Sequence, residues 1–305
     1  MGEYSKRIGE IGEEIVVEFL KIIGWTNPRL NFDIVSVDPE KHGKKTNGID
    51  GYFHYLSPMI TNTIENVIYS VKFSNDIYKG NLVNQFKDHY RDLAMAIESF
   101  KKSEIKNTTL NNHSNIEAVF DRGILFWIHN EIDSKLDLSS NLIKIELPNL
   151  FHHDGIVLMD NNRMEFIYDS VKYVKGYYAS CDVQFSYFIT GMNNDDRNKR
   201  NGKILPIQYL SSNIIPFRVQ DDVTNKTTLV FCSNDGFSDE QLIKLMGLAK
   251  NISNNYQVST HILFSNYNKS KHEQLVSTTK QAFGDSDFVE NLKIGNFNSS
   301  FIDNN

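Results

Sequence analysis

A lysine inside an apolar strand poses the first chemical question. Lys72 lies in NVIYSVKF (residues 66–73), among Val67, Tyr69, Val71 and Phe73, and an ammonium buried there without a partner is costly. Side chains alternate along a strand, so Ser70 and Lys72 share one face while Tyr69, Val71 and Phe73 take the other. If Val71 and Phe73 point into a core, Lys72 points into a cleft on the opposite face. The acid that a neighbouring strand could bring to that cleft is Asp50, in Gly48-Ile49-Asp50. Taken singly, Asp50 also reads as a turn aspartate and Lys72 as an edge-strand lysine that guards against aggregation. Their succession in two consecutive strand patterns favours a shared cleft.

The elements that must position this pair follow from periodicity. Residues 5–24 read as a helix, with Ile8, Ile11, Ile15, Phe19 and Ile22 at spacings of three and four and Gly24 as its stop. Three acids lie on it. The apolar stripe, continued by Gly12, Val16, Leu20 and Ile23, leaves Glu13 at its edge, whereas Glu10 and Glu14 point further towards solvent. Glu13 is therefore the helix acid that could reach a cleft against the sheet, although a solvated position suits it equally well. Strands are expected at 30–37, 48–56 and 66–73, the last two paired antiparallel because about nine residues are too few for a parallel crossover. A helix over 79–102 follows, with Gln85 and His89 on one flank, placed to meet a nucleic-acid backbone or simply to face water. Further strands are expected at 122–130, 142–147, 155–159 and 183–190.

This order resembles the PD-(D/E)XK nuclease superfamily: a helix carrying Glu, then G-I-D, a β-hairpin leading to V-K, and a long amphipathic helix. The nearest flavour is that of Mrr-like restriction enzymes and archaeal Holliday junction resolvases, and the resemblance covers about residues 5–102. It implies a restriction endonuclease-like α/β fold, a mixed sheet flanked by helices. It implies Asp50 as a Mg²⁺ or Mn²⁺ ligand, Lys72 as the catalytic lysine that positions or activates water, and Glu13 as the acid completing the metal site, with the carbonyl of Val71 as a further ligand. The family's second acid should stand at Ser70, and a serine hydroxyl is a poor, neutral ligand for Mg²⁺. That cation often takes only one or two carboxylates and keeps several waters. The resemblance implies DNA as substrate and a role in restriction or phage defence. Loss of the acid at Ser70 leaves open a degenerate fold that serves as a nucleic-acid-binding or assembly subunit.

Charge bears on the partner. The 305 residues carry a formal net charge of −6, which argues against a binder that holds DNA by charge alone. An acidic enzyme holding a metal can still carry local basic patches, and two exist, KHGKK (41–45) and RNKRNGK (197–203). Each reads most simply as a solvated loop; Lys44 and Lys45 are the DNA-contact candidates. A DNA grip shared with a partner subunit or homodimer mate would suit the low charge. No apolar run is long enough to span a membrane, and acids near the N-terminus occupy the place of a signal peptide's apolar stretch, so a cytoplasmic setting is expected. Cys181 and Cys232 form neither a disulfide framework nor a zinc site.

The polar run at 193–203 suggests a linker between a nuclease-like domain over 1–192 and a smaller α/β unit of βαβα order over 204–292, with a frayed tail at 293–305. That second part could also be a small-ligand or docking module. Within it, Ser238 and Gln241 have capping-box spacing.

Overall fold

The computed structural model describes residues 2–131, 137–142, 144–147, 150–193, 199–253 and 258–298. The chain divides into two compact units, Met1–Met164 and Glu165–Asn305.

The first unit contains α1 (Gly2–Ile22), β1 (Arg29–Val35), the single turn α2 (Pro39–His42), β2 (Thr46–Leu56), β3 (Thr63–Ser74), α3 (Leu82–Phe100), α4 (Glu104–Asn111), β4 (Ala118–His129), α5 (Leu138–Leu142) and β5 (Ile156–Met159). Its strands form one sheet in the order β1-β2-β3-β4-β5. The pairs β1–β2 and β2–β3 are antiparallel, whereas β3–β4 and β4–β5 are parallel. The expected mixed sheet with helices is present, and so is the antiparallel pairing of residues 48–56 with 66–73.

Helix α1 packs against β3. Val16, Leu20 and Ile23 are fully buried, but Ile11 and Ile15 are each 40% exposed. The buried face is thus centred on the row Gly12, Val16, Leu20 and Ile23 rather than on the isoleucines. A Cβ on Gly12 would stand 2.4 Å from Cβ of Phe73, so the helix comes as close to the strand as a bare backbone allows. A second cluster contains Phe86, Leu93, Ile97 and Phe100 of α3, packed with Ile68, Leu125, Trp127 and Tyr52 of the sheet.

Two buried acids of this unit are paired. Glu65, fully buried, accepts from Arg122 Nε at 2.8 Å. Asp121 accepts from Asn66 at 2.9 Å and from Lys106 at 2.5 Å. The polar stretch after α3 contains α4. Ser103 accepts from the N–H of Lys106 at 3.3 Å as its cap, and Thr109 reaches the Tyr52 hydroxyl at 3.0 Å. The strand expected over 142–147 does not form at its described positions. Leu142 closes α5, residue 143 lies outside the described residues, and 144–147 have no regular structure.

The second unit begins within α6 (Asn161–Tyr177) and continues through β6 (Asp182–Ser186), β7 (Asn201–Gly202), α7 (Ile207–Leu210), β8 (Ile214–Asp221), β9 (Lys226–Ser233), α8 (Asp239–Ser253), β10 (Ser259–Phe264), α9 (Lys269–Ala282), α10 (Ser286–Glu290) and β11 (Leu292–Asn296). Its sheet runs β11-β10-β9-β8-β6-β7. The βαβα core over β9, α8, β10 and α9 is there, parallel as expected, and Ser238 caps α8 by accepting from the N–H of Gln241 at 3.2 Å. The unit is larger than the expected 204–292. β6 lies in its sheet, antiparallel to β8, and Asn201–Gly202 pairs with β6. The division between units therefore falls ahead of the polar run at 193–203, of which residues 194–198 lie outside the described residues. Residues 293–296, expected to be the start of a frayed tail, continue β11 from Leu292 and pair in parallel with β10; residues 299–305 lie outside the described residues. Among the described residues, no helix is long and apolar enough to cross a membrane.

The Gly12 contact gives a paired test. Gly12→Ala should lower the unfolding free energy by about 1–3 kcal/mol, the range for overpacking, despite its better helix propensity. Gly9→Ala, whose Cβ would meet nothing within 4 Å, should raise stability by up to about 1 kcal/mol. Urea denaturation of the two variants measures the difference.

Candidate active site

The site forms where β3 leaves β2. Residues 46–49 of β2 pair with β1, and the β2–β3 ladder ends at the pair Gly51–Tyr69. Asp50 stands just beyond this pair. Its Oδ2 accepts the backbone N–H of Val71 at 2.6 Å and the Ser70 hydroxyl at 3.0 Å. A backbone donor that leaves a ladder needs another acceptor, and here a carboxylate supplies it. Ser70 therefore clamps Asp50 through its proton.

Glu13 is half-buried at the edge of the α1 face, while Glu10 and Glu14 are exposed and Glu10 pairs with Lys6 at 3.7 Å. This matches the helix phase expected from the sequence. Oε2 of Glu13 accepts from the side-chain amide of Asn31 at 2.8 Å. Asn31 has φ +46°, the left-handed region that asparagine tolerates better than most residues. It sits in β1 between the pairs Leu30–Gly51 and Phe32–Ile49, opposite Asp50. Asn31 thus ties the helix acid to the strand beside Asp50. Sequence reasoning missed it; the one available sign was a polar residue between Leu30 and Phe32 in an apolar strand.

Tyr69 precedes Ser70 on β3. It is 2% exposed, and its hydroxyl has no hydrogen-bond partner among the described residues. Burial, then the charges of Asp50 and Glu13, push its phenol well above the usual tyrosine range. Leaving a buried donor unpaired costs about 1–3 kcal/mol, and such a group calls for an explanation.

Lys72 is half-buried and opposite Trp127 of β4. Among the described residues it has no hydrogen bond or ion pair, so the expected meeting with Asp50 is not a salt bridge. The reason is that Asp50 is already turned to the main chain of β3. The nearby titratable group is His89, whose ring lies edge-on to Trp127 at 5.5 Å. Burial and then the charge of Lys72 lower the His89 pKa, with Asp92 and Asp88 opposing. The imidazole is therefore neutral at pH 7.

The remaining candidates fare differently. Gln85 donates from Nε2 to the carbonyl of Lys79 at 2.8 Å, closing the loop before α3. Lys44 pairs with Asp92 at 3.2 Å, and Lys45 is exposed. The KHGKK stretch is not a plain solvated loop. Lys41 and His42 both bind Glu98, at 2.9 and 2.8 Å, and His42 is buried.

The donor set fits one kind of metal. Among the described residues no group of three or more His, Cys, Asp or Glu side chains gathers to hold an ion. Two carboxylates, one from α1 and one from β2, suit a hard cation that keeps most of its waters, as Mg²⁺ does. They do not suit a dehydrated, fully protein-ligated site.

A helix acid, an aspartate where two antiparallel strands part, a lysine on the second of them, and a mixed sheet define a chain of the PD-(D/E)XK nuclease class. A family model described as the GAPS4 protein PD-(D/E)XK nuclease domain matches residues 1–163, and the chain belongs to this family. The match ends where the first compact unit ends. No curated protein and no solved structure matches the chain.

Ser70→Glu tests the clamp. It removes the proton donor to Asp50 and sets a second carboxylate beside it, so the thermal midpoint without metal should fall. The rise in midpoint on adding Mn²⁺ should then exceed that of the unaltered chain, because a charged ligand replaces a neutral one. Differential scanning fluorimetry with and without Mn²⁺ measures both.

Proposed function

We propose that this chain is a metal-dependent endonuclease that hydrolyses DNA phosphodiester bonds in the cytoplasm, in restriction or phage defence. The observation that carries the proposal is Asp50, aimed by the Val71 N–H where β2 and β3 part, with Glu13 tied by Asn31 to the strand beside it and Lys72, without a counter-ion among the described residues, on β3. Asp50, Glu13 and the carbonyl of Val71 would hold Mg²⁺ or Mn²⁺. When bound, such an ion offsets charge on the phosphate and lowers the pKa of water.

The chain's own residues have separate tasks. Asp50 presents one carboxylate oxygen to the cleft because its other oxygen is held by Val71 and Ser70. Lys72, lacking a counter-ion, is free to orient the attacking water and to sit against a phosphate oxygen. His89 stands beside Lys72 as a neutral donor or acceptor for the DNA backbone. Lys45 is exposed for such contact, whereas Gln85 and Lys44 would reach DNA only by leaving Lys79 and Asp92. With a net charge of −6, the chain would share its grip on DNA with a partner subunit or a second copy.

One observation favours a second reading. Ser70 gives the site a neutral hydroxyl where the superfamily has an acid, and no third acid gathers there among the described residues. A nuclease fold kept as a nucleic-acid-binding or assembly subunit of a defence complex would tolerate that loss.

Plasmid cleavage with Mn²⁺ separates the two. The nuclease reading expects the unaltered chain to cut, and Lys72→Ala and Asp50→Ala to lower the rate about 100-fold or more, the scale for removing a group that stabilises developing charge. Retention of DNA binding without any cutting would favour the second reading. Cleavage by both variants at the unaltered rate would refute the mechanism.

A further inference from the structure

We infer that the second unit carries a nucleotide site at the edge of its sheet, where a base stacks on Tyr177 and a phosphate is held by His261 and Lys293. The site lies wholly within Glu165–Asn305 and does not rest on the metal-binding reading above.

Strand β11 stands at the edge of its sheet and pairs with β10. A cavity of about 430 Å³ runs beside it, lined from α6, β10, β11 and α9, a size suited to a small molecule. His261 pairs with Lys293, and Gly295 follows two residues later, so alternation sets all three on one face of the sheet.

His261 is the built part of the site. It is 5% exposed, and its Nδ1 lies 3.3 Å from the Tyr178 hydroxyl. Burial and then the charge of Lys293 lower its pKa to about 4, so the ring is neutral at pH 7. Burial raises the Tyr178 phenol above the usual tyrosine range, so it keeps its proton. With that proton donated to Nδ1, the proton of the ring itself stands on Nε2. Nε2 has no hydrogen-bond partner among the described residues, and a buried polar group in that state calls for one. A Cβ on Gly295 would stand 3.0 Å from it, so glycine leaves the space before this donor open. Lys293 is exposed beside the ring, with no ion pair or hydrogen bond among the described residues. A neutral N–H and a free ammonium on one face suit an anion.

The aromatic wall selects among anions. Tyr173 and Tyr177 stack on each other, with centroids 5.6 Å apart and planes at 13°. Tyr177 lies 5.8 Å from the His261 ring and is 58% exposed, so an aromatic face is open beside the anion donors. Lys269 and Lys280 add positive charge across the cavity, Lys280 tied to the carbonyl of Leu292 at 2.7 Å. The acid of the lining, Glu273, accepts from Tyr267 at 3.2 Å on that far side. A flat ring joined to a phosphate satisfies wall and donors together, and aromatic stacking with nearby cations is how bases and their phosphates are commonly held.

The test is calorimetric titration of the full chain in EDTA, so the result is independent of any metal at Asp50. The probes are AMP, adenosine, inorganic phosphate and a 5′-phosphorylated single-stranded oligodeoxyadenylate. The inference expects AMP or the oligonucleotide to bind about 10-fold more tightly than adenosine or phosphate. Tyr177→Ala and Lys293→Ala, both at exposed side chains, should each weaken that binding about 10-fold, whereas Lys226→Ala at the start of β9 should leave it unchanged. Tighter binding of AMP identifies a free nucleotide as the ligand, and tighter binding of the oligonucleotide identifies a strand; both uphold the site. No binding of either probe overturns the inference and leaves the nuclease reading standing. It is also overturned if Tyr177→Ala and Lys293→Ala bind as the unaltered chain does, if adenosine or phosphate binds as tightly as AMP and the oligonucleotide, or if Lys226→Ala weakens binding as much as Lys293→Ala.

Discussion

Where the β2–β3 ladder stops, the carboxylate of Asp50 takes over from main chain as the acceptor of the Val71 N–H. Everything else in the cleft follows from that substitution. Strand β3 can part from β2 without leaving a buried donor unpaired. The aspartate is aimed by backbone geometry rather than by a flexible cation. Ser70, the residue before Val71, completes the hold on the same oxygen. Lys72, on the same face as Ser70, is left without the counter-ion that an aspartate so close in the fold would otherwise supply. The cleft thus keeps an available cation and an oriented anion apart, an arrangement that a simple ion pair would abolish.

The approach of α1 is the second condition. Glu13 reaches the cleft because Gly12, its neighbour, lies on Phe73 with no side chain between. Asn31 in a left-handed conformation then fixes the carboxylate from the side of β1. The two acids come from separate elements, α1 and β2.

How much of this was legible depended on whether the signal was local. The hairpin and Lys72 stood out because a charge in an apolar strand violates the burial rule and alternation assigns its face. Glu13 was separable from Glu10 and Glu14 by helical phase alone. Tyr69 was hidden because a tyrosine alternating with Val67 and Val71 looks like core, and it is core in all but its hydroxyl. Lys41 and His42 were misjudged because their partner, Glu98, is more than fifty residues away on α3, and no local pattern announces a distant acid. β8 escaped notice because Pro216 argues against a central strand, yet it pairs on both sides, with β9 and β6. β11 looked like a frayed tail because five short residues have no pattern to show until β10 lies beside them.

The basic residues before β2 carry a consequence for how this acidic chain could hold DNA. Lys41 and Lys44 look on paper like a phosphate-binding stretch, but each faces an acid of α3, Glu98 and Asp92 respectively. Glu98 is held down to a lower pKa by His42 and Lys41 against the effect of its burial, so the Lys41 pairing is part of the fold. Glu98 and His42 are buried while Lys41 is exposed, so it is loss of the partners around the Glu98 carboxylate that would leave a poorly solvated charge uncompensated. The exposed Lys44–Asp92 pair is worth much less, so Lys44 is the one of the two that could be exchanged for a phosphate at little cost. On the proposed nuclease reading, affinity for DNA scales with the number of phosphates neutralised, and a basic loop committed to its own helix adds little to it. The grip would then come from another surface, while the cleft built on Asp50 would supply the chemistry.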